Sequence, residues 1–184
     1  MGTLREELDE YYLKETGLAK GHLGSMNLSN PEKRVIYSSC ILGNNLPVGC
    51  GFALGNKAKK NEGVVFIVTG DGALEEGAFY ETLLFLSANQ LSTVIIVENN
   101  DWSLGTKIDE RRNNIDLKKL TDAVGVDYLS LQGNEPFEYL EKIESCRANV
   151  LENKVPILVE VELTTLGYWY LTNKDNPDGK FINY

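Results

Sequence analysis

Several patterns that mark particular classes of protein are absent from this sequence. The cysteines Cys40, Cys50 and Cys146 are odd in number and lack C-x-x-C spacing, which argues against a disulfide framework or a zinc site and predicts buried thiols. No apolar run approaches the roughly 18 residues that a membrane span requires. The charged start, MGTLREELDEYYLKE, contains no apolar signal-peptide core, so we expect a cytoplasmic location without membrane contact.

Positive charge is also scarce. Lys and Arg number 18 against 27 Asp and Glu, which leaves a formal net charge of −9. A general nucleic-acid binder needs clustered positive charge to displace counterions from phosphates, so this balance argues against a nucleic-acid partner. An anionic small molecule must therefore be held by local groups.

The remaining composition is typical of one globular domain. The 184 residues are 42% apolar and include only 5 prolines. We expect a single domain over 1–184, with a helix and loop in 1–30 and a C-terminal tail in 167–184. The first helix is predicted to end at Gly17, and a later helix to begin near Pro47.

Strands and helices alternate through the rest of the chain. Apolar runs such as VVFIVT (64–69) and TVIIVE (93–98) are separated by a helical pattern over 74–90, and the alternation continues to PILVEVEL (156–163). Strands connected by helices predict an α/β fold with a parallel sheet and helices on both faces. Because the runs lack polar alternation, we expect the strands to be covered on both faces.

Two polar loops follow two of these strands. The first contains Asp71 in GDG, and the second, NNDWSLGT, begins with Asn99 and Asn100. Ligands of such sheets bind at the carboxyl ends of the strands, and residues 73–98 return the chain to the same edge after one crossover. Carboxylate, amide and carbonyl oxygens suit Mg²⁺ or Ca²⁺ rather than zinc. Glycines at a helix start let backbone N–H groups approach an anion, so we predict a divalent ion that joins a diphosphate to both loops.

Simpler interpretations of these motifs stay open. Gly-Asp-Gly alone is also an ordinary turn, and Glu75 and Glu76 are also good helix starters. GCGFALG (49–55) partly matches a dinucleotide fingerprint, but without a strong preceding strand close helix packing explains it better. DERRNN (109–114) is either a loop that closes over the ligand or a solvated charge run, and we expect solvation.

The quoted segments resemble a known family. GDGALEEGAFYETLLFLSANQLSTVIIVENN is similar to the thiamine diphosphate motif, in which GDG is followed by NN after one helix and one strand. GHLGSMNLSNPEK and CILGNNLPVGCGFALGNKAKK resemble segments of the alpha subunits of 2-oxoacid dehydrogenase first components. The resemblance covers about residues 20–166 and implies the diphosphate-binding domain of a thiamine diphosphate enzyme.

This resemblance implies roles for individual residues. Asp71 and Asn100 would bind Mg²⁺ through their side chains, and Trp102 through its carbonyl oxygen. The residues expected to contact thiamine diphosphate are Cys40, Leu42 and Gly43 near the aminopyrimidine, and Gly70, Gly72, Ala73 and Asn100 near the diphosphate and its ion.

The sequence also departs from the family. The histidine of the family's GGSMHL segment is Asn27 here, and LGYWYLTNKDNPDG (166–179) replaces its later histidine-rich loop. His22 lies in GHLGS, which is similar to segments of transketolases, so we expect it to be the catalytic proton carrier; a loop histidine satisfied by solvent is the alternative. No second, pyrimidine-binding domain fits in this length.

These observations predict the diphosphate-binding subunit of a split thiamine diphosphate enzyme that acts on a 2-oxo acid or a ketose donor. A separate pyrimidine-domain, beta-like subunit would complete it, with a heterotetramer as the expected assembly and a small molecule as substrate. One alternative is the N-terminal subunit of a transketolase-like enzyme or carboligase, and another is a non-catalytic scaffold subunit that retains the fold. A third is that the chain is a piece of a longer protein.

Overall fold

The computed structural model describes residues 2–24, 26–133 and 135–164, and the backbone of 168–170 and 180–182. Most of the expected C-terminal tail, including most of LGYWYLTNKDNPDG, lies outside the described residues. The single domain and its tail therefore stay predictions.

A four-stranded parallel sheet forms the centre of the fold, in the order β1-β2-β6-β5. Its strands are β1 (Val65–Gly70), β2 (Thr93–Asn99), β5 (Asp127–Gln132) and β6 (Ile157–Glu162). β-branched and apolar residues dominate the edge strand β1 and the two inner strands β2 and β6, as expected for strands that pack on helices. The predicted α/β fold with a parallel sheet is confirmed.

Helices and short irregular elements connect the strands. Local chemistry sets several helix ends: Thr3 and Glu6 form a capping box, the Asp116 side chain accepts the Lys119 N–H, and Pro136 occupies a first-turn position. The helices are α1 (Leu4–Tyr11), α2 (Asn45–Ala58), α3 (Gly77–Ala88), α4 (Ile108–Arg111), α5 (Leu117–Val124) and α6 (Pro136–Asn153). Two-residue strands β3 (Trp102–Ser103) and β4 (Thr106–Lys107), the strands β7 (Tyr168–Tyr170) and β8 (Lys180–Ile182), and 3₁₀ turns at Pro31–Lys33 and Asp71–Glu75 complete the described elements.

Apolar side chains form two clusters, one on each face of the sheet. The larger cluster includes Leu46 of α2, Phe79 of α3 and Leu117 of α5, packed against the sheet. The second cluster joins Val150 of α6 to Val94 and its neighbours in the sheet. Helices therefore cover both faces, and no helix among the described residues is long and apolar enough to cross a bilayer.

Three expectations about local structure were wrong. α1 ends at Tyr11 rather than Gly17, because the chain turns back so that its backbone can contact the Glu10 carboxylate. β1 is covered by α2 on one face only, since the helix on the other face, α6, packs against β2 and leaves Phe66 and Val68 42% and 51% exposed. Among the thiols, Cys40 is exposed.

The glycine-rich α2 packs closely at one point. A Cβ added to Gly49 would lie 2.4 Å from Cδ1 of Ile67 in β1. Gly51 and Gly55 face open space among the described residues. Helix packing therefore explains Gly49, and the dinucleotide interpretation of GCGFALG has no support from this geometry.

Candidate functional site

The two predicted polar loops lie side by side. β1 and β2 are neighbours, with Gly70 opposite Glu98, so Asp71 and Asn100 each follow the carboxyl end of a paired strand. Asp71 opens the 3₁₀ turn and is only 2% exposed. The fold thus brings together the residues expected to bind a divalent ion.

Gly72 and Ala73 follow Asp71 in this turn and are both buried. A Cβ on Gly72 would lie 2.6 Å from the Ser103 hydroxyl oxygen and 3.7 Å from Nη1 of Arg111. The backbone here therefore presses against β3, and only glycine fits without displacing a neighbour.

Asn99 and Asn100 organise the second loop through their side chains. Asn100 Oδ1 accepts the Trp102 N–H at 3.0 Å, and Asn99 Oδ1 accepts the Asp101 N–H at 3.3 Å. An amide oxygen has two lone pairs, so Asn100 can accept this bond and still offer the other lone pair to an ion. The turn holds Asn100 and the Trp102 backbone in one short segment.

A half-buried polar pair behind this loop was not anticipated from the sequence. Glu160 of β6 accepts from Asn99 Nδ2 at 2.8 Å and from the Tyr128 hydroxyl at 2.6 Å. Burial and the Glu160 carboxylate raise the pKa of Tyr128, so it stays a proton donor. These contacts fix the orientation of Asn99, and with it the start of the loop.

Arg111 and Arg112 lie against the Asp71 turn. Arg111 Nη2 donates to Asp71 Oδ2 at 3.3 Å, and its Nη1 contacts Glu75 Oε1. Arg112 Nε donates to the same Glu75 oxygen at 3.2 Å. The arginine side chains are only 11% and 13% exposed. The expected solvation of DERRNN was therefore wrong for both arginines, because two carboxylates of the neighbouring turn compensate their charge.

One donor of this cluster is unused. Arg111 Nε is buried and has no hydrogen-bond partner among the described residues. An unsatisfied buried donor typically costs about 1–3 kcal/mol. The guanidinium therefore has one N–H donor beside Asp71 that is available to a further acceptor.

The Asp71 carboxyl is not fully compensated by its surroundings. Burial raises its pKa above the ordinary value of 3.8, while the charge of Arg111 and the Gly72 N–H oppose the shift. Buried groups with a raised pKa and a nearby charged partner are common at functional sites.

These residues fit a magnesium ion with a diphosphate. Asp71, Asn100 and the Trp102 carbonyl carry hard oxygen atoms of the kind that Mg²⁺ binds, and the missing side chain at Gly72 would let a phosphate approach the backbone. No group of three or more His, Cys, Asp or Glu in the described part of the chain could hold a metal. An ion here would therefore combine the single Asp71 carboxylate with amide and backbone oxygens and with oxygens of its ligand.

The segment expected near the aminopyrimidine reaches the same turn. Gly43 adopts a φ of +73°, and a Cβ there would lie 3.0 Å from Cβ of Glu76. Leu42 is 55% exposed, and the Cys40 N–H donates to Asn27 Oδ1 at 3.2 Å. Gly43 thus contacts the turn that carries Asp71, while Cys40 and Leu42 stay accessible beside it.

His22 is exposed on a loop that a buried carboxylate organises. Glu10 is closed to solvent and accepts the N–H groups of Ala19, Gly21, Leu23 and Gly24. No contact among the described residues links the His22 ring to the Asp71 turn. Sequence reasoning missed Glu10, whose only signal was a Glu preceding a glycine-rich loop.

An open cleft of about 720 Å³ adjoins the second loop. It lies between the 99–114 segment and the ends of β5 and β6, and its lining includes Asn100, Arg112 and Glu162. The cleft is polar and shares Asn100 with the candidate ion site.

Comparisons with a family model and with curated proteins give matches over most of this chain. The family model described as dehydrogenase E1 component matches residues 3–167. The pyruvate dehydrogenase E1 component subunit alpha of Rickettsia bellii is 30% identical over 155 residues, which cover 84% of this chain and 48% of the relative. The mitochondrial subunit alpha-1 of Arabidopsis thaliana is 30% identical over 161 residues, covering 88% of this chain and 41% of the relative. The chain spans about half the length of the curated relatives it matches.

Solved structures share the fold. A transketolase from Campylobacter jejuni aligns with a TM-score of 0.60 and 21% identity over 69% of this chain and 20% of the other. A putative thiamin diphosphate-dependent enzyme from Mycobacterium smegmatis aligns with a TM-score of 0.55 and 14% identity, covering 70% of this chain and 24% of the other. At these identities the likeness establishes the fold alone.

Proposed function

Because this chain belongs to the dehydrogenase E1 component family, we propose that it is the diphosphate-binding subunit of an enzyme that acts on a 2-oxo acid. Membership of this family implies thiamine diphosphate as the cofactor. The observation that carries the proposal is the pairing of β1 with β2, which sets Asp71 beside the Asn100 loop.

The ion in this proposal is Mg²⁺. Asp71 and Asn100 bind it through side-chain oxygens and Trp102 through its carbonyl, and the N–H groups of Gly72 and Ala73 face the diphosphate. Gly70 ends β1 so that this turn can start. Leu42, with Cys40 and Gly43, contacts the aminopyrimidine, and the contact of Gly43 with Glu76 supports that position.

When bound, thiamine diphosphate supplies the carbon centre that permits bond cleavage next to a carbonyl. The residues of this chain bind and orient the cofactor. His22 carries a proton to or from the substrate, and unchanged turnover by a His22→Gln variant would remove this role.

A separate pyrimidine-domain subunit completes the site. The relatives are named as alpha subunits, which supports a beta-like partner for this chain. We propose two copies of each chain in a heterotetramer, and a mass measurement of the purified complex that gives another stoichiometry would exclude it.

Calorimetry with thiamine diphosphate and Mg²⁺ tests the ion site. Asp71→Ala should weaken binding by more than the roughly 10–100-fold typical of outer-shell metal partners, because it removes a direct ligand. Asp122→Ala is the matched control, since that aspartate is exposed on α5 and pairs with Lys118. Undiminished binding by Asp71→Ala would contradict the metal assignment, whether the chain is measured alone or with its partner.

A non-catalytic subunit is the second candidate. The ion pair between Asp71 and Arg111 favours it, because a carboxylate that is paired with an arginine needs no metal to compensate its charge. In that case neither the chain nor its complex would bind the cofactor, and the complex would assemble without turnover.

A further inference from the structure

The Asp71 turn contains a balanced set of charges. The carboxylates of Asp71 and Glu75 face the guanidinium groups of Arg111 and Arg112, so the formal charge of the cluster is zero. A neutral cluster has little attraction for a diphosphate. A divalent ion on Asp71 would change this balance, because the ion rather than Arg111 would then compensate the charge of that carboxylate.

Arg111 is placed to use such a change. Its Nη2 already contacts Asp71, and its Nη1 lies 3.7 Å from the Cβ position of Gly72, whose backbone is expected to face the diphosphate. Its Nε is buried without a hydrogen-bond partner among the described residues. A planar guanidinium with a free donor matches a phosphate group, which accepts paired hydrogen bonds from such a fork.

The segment that carries Arg111 also carries the other expected ion ligands. Arg111 ends α4, and the first residue of that helix, Ile108, is buried and donates its N–H to the Asp101 carbonyl at 3.1 Å. Asp101 stands between Asn100 and Trp102. Binding of an ion by this loop and movement of the Arg111 side chain therefore take place within one short, internally bonded segment.

We propose that Arg111 is an exchangeable partner of Asp71 that turns to the diphosphate when a divalent ion takes the carboxylate. The inference rests on the proposed function and adds a phosphate-recognising residue to it. The ion would displace Arg111 from Asp71 and free it for the diphosphate, and the diphosphate would hold Arg111 away from the carboxylate that the ion binds. We therefore expect ion and diphosphate to bind cooperatively.

Calorimetry on the full chain tests this coupling. Mg²⁺, inorganic pyrophosphate, thiamine diphosphate and thiamine monophosphate are titrated singly and with Mg²⁺ present, into wild type, Arg111→Met and Arg111→Lys. Arg147→Met is the control, since Arg147 is half-exposed on α6 and distant in sequence from the site. In the Arg111→Met variant Mg²⁺ alone should bind more tightly, whereas thiamine diphosphate with Mg²⁺ should bind about tenfold or more weakly.

The variant should also lose part of the preference for the diphosphate over the monophosphate. Arg111→Lys keeps a positive charge beside Asp71 but not the planar fork, so it should fold and show an intermediate loss; it provides the test if Arg111→Met does not fold. Wild-type affinities and coupling in the Arg111 variants would overturn this inference and leave the proposed function standing. No cofactor binding by wild type, alone or with its partner, would overturn both.

Discussion

Glu10 and Asp71 are both buried carboxylates, but they are compensated in different ways. Glu10 of α1 accepts four backbone N–H groups from the loop that follows the helix, at 2.7 to 3.2 Å. Asp71 instead has the Arg111 guanidinium as its charged partner, at 3.3 Å, with only the Gly72 N–H as a backbone donor among the described residues. The partners of Glu10 are backbone groups of a nearby loop, whereas the partner of Asp71 is a side chain from a distant segment of the chain.

This difference separates a structural carboxylate from an exchangeable one. Backbone donors cannot leave Glu10 unless the loop itself unfolds, whereas a side chain can rotate away from Asp71. The pKa values agree: burial works against the charge of Glu10, but its four N–H donors together lower the pKa, while burial of Asp71 outweighs Arg111 and raises it. We therefore expect changes at Glu10 to affect folding and changes at Asp71 to affect binding.

The largest expected effect on stability comes from Glu10→Gln. An amide has a single oxygen to accept bonds and adds N–H donors of its own, so some of the four backbone donors lose their acceptor. Thermal unfolding should occur at a lower temperature, and the amides of Ala19, Gly21, Leu23 and Gly24 should lose protection from hydrogen exchange. Glu15→Gln, at an exposed position, is the control; equal behaviour of the two variants would mean that Glu10 is not the anchor of this loop.

A smaller effect is expected from Gly72→Ala. Its Cβ would lie 2.6 Å from the Ser103 hydroxyl oxygen, and overpacking of this kind costs about 1–3 kcal/mol. Gly51→Ala should instead stabilise α2 by up to about 1 kcal/mol, because that helical glycine faces open space. Chemical denaturation of both variants measures the difference, and Ser103→Gly should partly restore Gly72→Ala. Equal stability of the two alanine variants would show that the Gly72 turn is loosely packed.

The smallest effect is expected in the pH dependence of stability. The pKa of Glu10 is held below its ordinary value of 4.5, so its contribution is fully present above that pH and is lost as the pH falls through the folded-state value. Denaturation of wild type and Glu10→Gln over this acid range should give a shallower slope for the variant. Parallel curves would indicate that Glu10 is already protonated in the folded protein.

Much of the fold followed from local patterns. Continuous apolar runs such as VVFIVT and helix-length spacers predicted a parallel sheet, and the paired β1 and β2 then brought Asp71 to the Asn100 loop. These features could be predicted because strand type and crossover topology depend on residues close in the chain. Exposure of Phe66 was not predicted, since it depends on which strands the helix on that face covers.

The arginines of DERRNN show where such reasoning fails. In the sequence they belong to a charged run typical of a solvated surface. The acidic stretch that contains Asp71 and Glu75 ends at Glu76, and 34 residues separate it from Arg111. Only the folded chain brings Arg111 to Asp71 and Arg112 to Glu75. The bonds from Glu10 to its loop likewise depend on a reversal of the chain after α1.

The sequence by itself determined the α/β alternation and the position of Asp71 and Asn100 at strand ends, because hydrophobic periodicity and connection length are properties of neighbouring residues. The tertiary structure decided how each buried carboxylate is compensated. Burial removes water from Glu10 and Asp71 alike, and only the folded arrangement determines whether backbone donors or an arginine replace it.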